Sequence, residues 1–389
     1  MLAILDTAVI SGLAGELVRV EVDVAPGLPA CHILGLPDTA LSEARERVRA
    51  AIRNAGFDYP LSRITVNLAP ADRRKRGAAY DVAIAVGILV ASGQIRASGG
   101  PWALLGELSL DGSVMPVTGV LPMVATLRQA GHARICVPFA NLAEAQLVAG
   151  VEAAGIAGLD DAARLVAGPH GRRAAGASRR GAIRVSTRSA TEGPRNGPVD
   201  ARQGSVPPDG PFAVDLSEVR GQAHARWALE VALAGRHNLL LVGPPGAGKT
   251  LLARTIPSLL PPLEPHEAQE VTVIRSVAGL PQSDESRLMR PFLAPHHTTS
   301  YAAMVGGGPR LRPGLVTQAH LGVLFLDELA EFDRDVLDAL RQPLEDGSVE
   351  IDRAHGSVRY PARLQLVAAM NPCRCAWRVH PRTGSRSRR

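Results

Sequence analysis

The residues best suited to chemistry form one run that begins at Gly243 and ends at Thr250. Its spacing is G-x-x-x-x-G-K-T, in which the glycines let consecutive backbone N–H groups curl around a phosphate at the start of a helix. Lys249 would reach the β- and γ-phosphates, and the Thr250 hydroxyl would bind Mg²⁺. The pattern predicts an ATP- and Mg²⁺-binding P-loop made of Gly243, Pro244, Pro245, Gly246, Ala247, Gly248, Lys249 and Thr250.

The segments on either side of this loop support that interpretation. Asn238–Val242 (NLLLV) predicts a buried strand before the loop, and the letters TLLARTI predict a helix after it. Strand, glycine-rich loop and helix in this order are the structural context that a P-loop requires. A chance match to the bare pattern therefore becomes an unattractive explanation.

Two further strands end in polar side chains that suit ATP hydrolysis. Gly322–Glu328 (GVLFLDE) ends in two acids, of which Asp327 would hold Mg²⁺ and Glu328 would orient and polarise the attacking water. Leu364–Met370 (LQLVAAM) ends at Asn371, whose amide could contact that water or the γ-phosphate; the alternative is a simple strand-end turn. The predicted catalytic residues are Lys249, Glu328 and Asn371, and the predicted Mg²⁺ ligands are Thr250 and Asp327.

Other clusters of reactive side chains fit a site less well. His296 and His297 are adjacent and point in different directions, which favours a loop role over a pair of metal ligands. Cys373 and Cys375 are closer together than in zinc knuckles, and only His380 lies nearby, so a complete zinc site is not expected. The run 73–76 (RRKR) is either a solvated turn or a phosphate contact, and both interpretations stay open.

The bulk composition bounds the class of protein. A chain of 389 residues fits two domains with connecting segments, and 46% hydrophobic with 21% charged residues is the balance of a globular protein. The net charge of +6 allows a polyanionic partner such as DNA. Four irregularly spaced cysteines indicate a reducing compartment, and no apolar run is long enough to span a membrane, so we expect a cytoplasmic protein without membrane contact.

The first 167 residues alternate strand and helix patterns and predict one α+β domain. Glu16–Val24 and Ser62–Leu68 show the every-second-residue apolar pattern of half-buried strands. Between them, a helix is predicted from an Asp38 N-cap to a Gly56 C-cap. Its apolar face comprises Leu41, Ala44, Val48, Ala51 and Ile52. Tyr80–Ala91 predicts a second helix that is apolar nearly all round.

The remaining chain divides into three predicted parts. Residues 168–210 are rich in Gly, Ser, Pro, Ala and Arg and predict a basic flexible linker, which is either a spacer or a source of non-specific attraction to phosphate backbones. Residues 211–375 regain the strand–loop–helix rhythm and form the predicted ATPase domain. Residues 376–389 form a basic tail that is poor in core-forming residues.

Several long segments resemble the ComM/YifB family of magnesium-chelatase-like AAA+ ATPases. They are GLAGELVRVEVDVAPGLPACHILGLPDTALSEARERVRAAIRNAGF, RPFLAPHHTTSYAAMVGGG, RPGLVTQAHLGVLFLDELAEF and ALRQPLEDGSVEIDRAHGSVRYPARLQLVAAMNPC. The resemblance implies an α/β chain: an N-terminal ribosomal-S5-domain-2-like (Lon protease-like) α+β domain, then a P-loop AAA+ domain of the magnesium-chelatase type. It also implies a homo-oligomeric, hexameric ring that couples ATP hydrolysis to DNA remodelling, such as branch migration during natural transformation.

The chain departs from the family pattern in two ways. The Lon-like peptidase site would need a serine and a lysine, but the corresponding segments read Gly77–Asp81 (GAAYD) and Gly119–Pro122 (GVLP), so we expect no protease activity. After Cys373 the text RCAWRVHPRTGSRSRR differs from the family, and the helical lid with its arginine finger is missing. These features predict a truncated or frameshifted chain with weakened ATP binding and slow or absent hydrolysis.

Two alternatives to the DNA motor stay open. A metal-chelatase function would use ATP hydrolysis to drive Mg²⁺ insertion into a porphyrin, although the fused N-terminal domain and the basic linker fit it poorly. A catalytically impaired nucleotide-binding fragment would join rings of intact relatives instead. DNA-stimulated ATP hydrolysis separates the motor from both alternatives.

Overall fold

The computed structural model describes residues 1–34, 39–70, 77–98, 100–168, 184–187, 214–280, 285–308, 311–353 and 356–372. The chain divides into two compact units, one made of Met1–Gly197 with Arg275–Gln282 and the other of Pro198–Ile274 with Ser283–Arg389. Both contain helices and sheets with parallel strands, which confirms the mixed α/β class. Among the described helices, none is both long and apolar enough to cross a membrane.

The N-terminal part of the chain contains both long and short elements. Its strands are β1 (Leu2–Ser11), β2 (Ala14–Ala25), β3 (Ala30–Leu34), β4 (Arg63–Ala69), β5 (Trp102–Leu104), β6 (Glu107–Leu108), β7 (Val114–Met115), β8 (Arg134–Pro138), β9 (Glu152–Ile156) and β10 (Arg184–Thr187). Its helices are α1 (Thr39–Asn54), α2 (Asp81–Ala91), α3 (Val120–Gln129), α4 (Leu142–Ala145) and α5 (Leu159–Ala167).

The first sheet of this unit has the strand order β1-β2-β4-β3. It confirms both strands predicted from apolar alternation, since β2 and β4 carry the buried side chains at every second position. The pairing aligns Val20 of β2 with Leu68 of β4 and Val22 with Val66, so these buried side chains share one face. A one-residue slip would turn that apolar face toward solvent.

The second sheet has the order β10-β9-β8-β5, and its edge strand lies inside a predicted linker. β10 pairs antiparallel with β9, with Val185 opposite Ala154. Val and Thr have high strand propensity, which accounts for a strand in the letters RVST although the surrounding composition predicts a flexible segment. The rest of the predicted linker, except Gly168, falls outside the described residues, as does the tail 376–389.

Helices α1 and α2 cover the first sheet and confirm the two predicted helices. Every residue of α2 is buried, as expected for a helix that is apolar on all sides. The described part of the predicted apolar face of α1 is also buried: Ala44, Val48, Ala51 and Ile52. Gly56 adopts φ 84°, the left-handed conformation predicted for the helix end, while Asp38 and the Leu41 side chain lie outside what the structure describes.

The C-terminal part of the chain is built around one parallel sheet. Its strands are β11 (Leu239–Val242), β12 (Phe292–Leu293), β13 (Gly306–Gly307), β14 (Arg312–Pro313), β15 (Val323–Leu326), β16 (Ser348–Arg353), β17 (Gly356–Pro361) and β18 (Gln365–Met370). Its helices are α6 (Ala223–Gly235), α7 (Lys249–Arg254), α8 (Ile256–Leu259), α9 (Pro265–Ala278), α10 (Tyr301–Val305), α11 (Leu315–Gln318), α12 (Arg334–Ala339) and α13 (Arg341–Asp346).

The parallel sheet has the order β11-β18-β15-β12. All three strands that the sequence predicts around the site are therefore confirmed, as β11, β15 and β18. β15 is buried along its whole length, which is typical of a parallel strand covered on both faces. One face packs against α6, α7 and α8 through Leu229, Leu252 and Ile256.

The first unit contains one buried charge pair. Asp81, at the start of α2, is fully buried and accepts hydrogen bonds from Arg47 Nε at 2.9 Å and Nη2 at 3.3 Å and from the Leu108 N–H at 3.3 Å. Burial raises the pKa of Asp81 to about 6, although the contacts with Arg47 and the Leu108 N–H act in the opposite direction. The carboxylate is therefore costly to ionise and depends on Arg47 as its only described cationic partner.

We predict that Arg47→Met destabilises the chain by about 3–5 kcal/mol at neutral pH, because it leaves the Asp81 carboxylate buried without its partner. Arg45→Met is the matched control, since Arg45 lies on the same helix with half of its side chain exposed. It should change the free energy of unfolding by about 0.5 kcal/mol or less. Urea unfolding measures both, and equal effects of the two substitutions would contradict the assigned role of the buried pair.

A second prediction concerns pH. Because the pKa of Asp81 is raised in the folded chain, its neutral form favours folding, and this contribution is present below about pH 4 and lost as the pH rises through about 6. The free energy of unfolding of the wild type should therefore decrease relative to that of Asp81→Asn, which cannot titrate, between these limits. Urea titrations at several pH values test this, and a difference that stays constant with pH would refute it.

Candidate nucleotide-binding site

The glycine-rich loop joins β11 directly to α7. Gly246 and Gly248 have φ of 78° and 85°, a left-handed conformation that favours glycine. An added Cβ at either position would meet no atom within 4 Å, so backbone conformation and not crowding is what requires glycine there. Gly248 immediately precedes the first residue of α7, so the loop delivers its backbone N–H groups to the start of a helix, as the spacing predicts.

The ammonium group of Lys249 lies at the centre of the loop. It donates hydrogen bonds to the carbonyl oxygens of Gly243 at 2.8 Å and Pro244 at 3.0 Å, and to the Oδ1 atom of Asn371 at 3.0 Å. The positive charge is thereby held over the curled backbone, where it would meet a phosphate. Lys249 and Asn371 are 122 positions apart in the chain, so folding brings them together.

The strand order explains this contact. β18 pairs in parallel with β11 on one side and with β15 on the other. Val242 at the end of β11 lies opposite Met370 at the end of β18, so Asn371 follows at the same edge as Gly243. Parallel strands direct their carboxyl ends to one edge of a sheet, where ligands bind in open α/β folds.

The predicted Mg²⁺ ligands also meet at this edge. The Thr250 hydroxyl donates to Asp327 Oδ2 at 2.7 Å, and Asp327 follows β15 immediately. The other carboxylate oxygen, Oδ1, accepts a hydrogen bond from the Glu328 N–H at 2.9 Å. One hydroxyl and one carboxylate are thus side by side, which is an oxygen donor pair of the kind that Mg²⁺ uses together with phosphate oxygens and water.

Glu328 has an unusual backbone conformation. Its φ is 53°, in the left-handed region, although it is neither glycine nor asparagine. Such strain persists only where the surrounding structure imposes it, and it is frequent at functional sites. The Glu328 side chain is 58% exposed, so its carboxylate is accessible to water at the edge where Lys249 and Asp327 lie.

His297 is a residue near the site that the sequence assigned only to a loop. Its Nδ1 atom lies 3.4 Å from Glu328 Oε2. The neighbouring ring of His296 is 4.0 Å away, and His296 Nδ1 contacts Thr298 Oγ1 at 2.9 Å. The position follows from the sheet, because β12 pairs in parallel with β15 and the chain after β12 therefore emerges beside Glu328. β12 has two residues, too short to be recognised from its pattern.

Gln222 is a second residue that the sequence did not identify. Its side-chain amide donates to the Ala247 carbonyl oxygen at 3.1 Å, so it supports the glycine-rich loop from the start of α6. Its φ is 53°, again left-handed. No local pattern marks this residue, because the contact joins two segments separated by 25 positions.

The remaining sequence candidates lie elsewhere. Cys373, Cys375, His380 and the run 73–76 fall outside the described residues. Within the described ranges, no group of three or more His, Cys, Asp or Glu side chains is arranged to hold a metal ion. A cavity of about 640 Å³ lies at the opposite, amino edge of the sheet, near Gly322 and Leu364, and none of the P-loop residues lines it.

The residues present fit a nucleotide phosphate with Mg²⁺. The loop offers backbone N–H groups and one ammonium group to an anion, and the glycine positions leave the space above them open. Thr250 and Asp327 provide neighbouring oxygen atoms for a divalent cation, and Glu328 and Asn371 provide polar groups on either side. This combination of groups is the one used for phosphoryl transfer to water.

Comparisons with known proteins agree with this arrangement. Residues 215–388 match the model of the family described as magnesium chelatase, subunit ChlI. Residues 20–141 match a second model, described as subunit ChlI of Mg-chelatase. The first match includes nearly all of the tail 376–389 that the sequence places outside the family pattern. The second unit thus defines the chain as a magnesium-chelatase-like AAA+ protein.

Full-length relatives refine that class. An uncharacterized protein of Mycobacterium tuberculosis is 46% identical over 94% of this chain and 68% of its own length. YifB of Escherichia coli, also described as uncharacterized, is 41% identical over 95% of this chain and 68% of its own length. The competence protein ComM of Haemophilus influenzae is 41% identical over 95% and 69%. The chain belongs to the ComM/YifB family.

We predict that Lys249→Ala lowers the affinity for a fluorescent ATP analogue by about 10- to 100-fold, because a hydrogen bond to a charged group contributes about 1.5–3 kcal/mol. Arg254→Ala is the matched control: it removes one exposed positive charge from the same helix, α7, at a position away from the loop. Equilibrium titration in the presence of Mg²⁺ measures both. Equal loss in the two variants would indicate a non-specific charge effect and contradict the site.

Proposed function

We propose that the chain binds ATP with Mg²⁺ and hydrolyses it. The observation that supports this most strongly is the contact of Lys249 with Asn371 beside the contact of Thr250 with Asp327, at one edge of a single parallel sheet. Membership of a magnesium-chelatase-like AAA+ family is consistent with nucleotide and Mg²⁺ use. A purely structural role would not require an ammonium group, a carboxylate, an amide and a strained glutamate to meet at this edge.

Each side chain has a distinct role in this proposal. The loop 243–250 holds the phosphates through its N–H groups, and Lys249 neutralises their charge. Thr250 and Asp327 hold Mg²⁺, which neutralises charge on the transferred phosphoryl group. Glu328 accepts a proton from the attacking water and orients it, and His297 contacts the Glu328 carboxylate from the neighbouring loop. Asn371 donates through its amide to the water or the γ-phosphate.

ATP hydrolysis is, in this proposal, coupled to DNA remodelling within a hexameric ring. Three observations support the DNA part: the family resemblance, the description of one relative as a competence protein, and a net charge of +6. Positive charge attracts a phosphate backbone without regard to sequence, so binding should weaken steeply with salt. A ring of identical subunits would place several copies of this charge around one nucleic acid.

A chelatase function is the second candidate. It rests on both family models, which are described by a magnesium-chelatase subunit. In that case ATP hydrolysis would drive Mg²⁺ insertion into a porphyrin, and DNA would leave the rate unchanged. The two functions share the nucleotide site and differ in the molecule that stimulates it.

The test is Mg²⁺-dependent ATP hydrolysis with and without single-stranded DNA. We expect DNA to increase turnover by the wild type, and Glu328→Gln to lower turnover by about 10²–10⁴-fold while retaining nucleotide binding, because it removes only the general base. Glu345→Gln is the control, since Glu345 is an exposed acid of α13 in the same unit. It should hydrolyse ATP as the wild type does.

Each outcome bears on one part of the proposal. Stimulation by a porphyrin and not by DNA would replace the motor with the chelatase. Nucleotide binding that depends on Lys249 but is never followed by hydrolysis would reduce the chain to a nucleotide-binding subunit. Hydrolysis that Glu328→Gln leaves intact would remove Glu328 from the catalytic role.

A further inference from the structure

Helix α1 presents three exposed arginines along one line. Arg45, Arg49 and Arg53 follow each other at intervals of four residues, which places them on one side of the helix about 6 Å apart along its axis. Arg47, by contrast, points inward to the buried Asp81 carboxylate. We refer to Arg45, Arg49 and Arg53 as the arginine stripe.

Two members of the arginine stripe share one aromatic ring. The guanidinium carbon of Arg49 is 5.7 Å from the centre of the Tyr59 ring, and that of Arg53 is 6.0 Å away. The electron-rich ring face attracts both cations, so it holds two like charges near each other. Burial raises the pKa of Tyr59, which therefore stays a neutral phenol and contributes no countercharge.

The positive charge of the arginine stripe is only partly compensated. Arg45 contacts Glu46 at 3.2 Å, but no carboxylate among the described residues forms an ion pair with Arg49 or Arg53. A crevice of about 230 Å³ opens beside the stripe and is lined in part by Arg45, Arg49 and Tyr59. Like charges that are crowded at a crevice favour an anionic partner, because its binding relieves their repulsion.

The geometry favours a phosphate backbone over other anions. Guanidinium groups are planar donors that bind phosphate in a bidentate manner, and arginine is preferred over lysine for this contact. Three of them at regular intervals match a partner whose charge also repeats along a line, which a single small anion does not. A nucleic acid strand carries such a repeating charge.

We propose that the arginine stripe on α1 binds the phosphate backbone of single-stranded nucleic acid. The proposal rests on the DNA part of the proposed function and assigns it a surface in the first unit, separate from the ATP-binding loop. It attributes affinity to backbone contacts, so binding is insensitive to base sequence. Neither the glycine-rich loop nor the basic segments outside the described residues is needed for this contact.

The experiment measures how the binding of a fluorescent single-stranded DNA depends on salt. The test variant is Arg45→Gln/Arg49→Gln/Arg53→Gln in the full chain, since Gln retains helix propensity at exposed positions. The control replaces three exposed arginines from other elements: Arg96→Gln/Arg128→Gln/Arg334→Gln. Both variants lose three positive charges, so they differ only in where the charge is removed.

Each phosphate contact with a single strand contributes about 0.7 to the slope of log K against log salt, so loss of the stripe should reduce the slope by about 2. The single variant Arg49→Gln should reduce it by about 0.7. The control triple variant should keep the wild-type slope. ATP hydrolysis in the absence of DNA should be the same for all of these proteins, because none of the replaced residues belongs to the nucleotide site.

The outcomes separate this surface from the proposed function. Equal slopes for the test and control triple variants, with wild-type binding intact, would overturn the arginine stripe and leave the motor standing. Displacement of the DNA by poly-glutamate at equal charge concentration would assign the surface to acidic peptides instead. A wild type that hydrolyses ATP but binds no DNA would overturn both the surface and the DNA part of the function, and only loss of hydrolysis would overturn the ATPase.

Discussion

Parallel pairing of β18 with both β11 and β15 is the constraint on which the candidate site depends. It brings together the ends of three strands that are far apart in the chain. Lys249, Asp327 and Asn371 each follow or begin just after one of these ends, so a single sheet edge holds the ammonium, carboxylate and amide groups. The buried apolar side chains of the three strands provide the stability that fixes these polar groups in place.

Lys249 shows how the loop limits its own affinity for anions. The ammonium group already donates to three oxygen atoms of the chain itself. Any phosphate that binds there must replace at least one of them, so the net gain is the difference between two hydrogen-bonded states. Replacing the Asn371 contact frees that amide at the same moment, which ties the occupancy of the loop to the position of a residue on the neighbouring strand.

The sequence predicted those parts of the site that depend on local spacing. The glycine-rich loop, the acids after β15 and the polar residue after β18 have patterns confined to a few neighbouring positions, and the structure has a strand before each of them. Strand order, His297 and Gln222 depend on pairing between distant segments, and two-residue β12 leaves almost no periodic signal. β10 shows the reverse case, in which four strand-forming residues pair although the composition around them indicates a linker.

The buried contact between Arg47 and Asp81 also sets the angular phase of α1 about its own axis. At about 100° per residue, Arg45, Arg49 and Arg53 lie about 160°, 200° and 240° around the helix from Arg47. Anchoring one arginine inward therefore turns the other three outward. Insertion of a single residue between Arg47 and Arg49 would rotate the later two by about 100° against the anchor and divide the line of charge, while leaving composition and net charge almost unchanged.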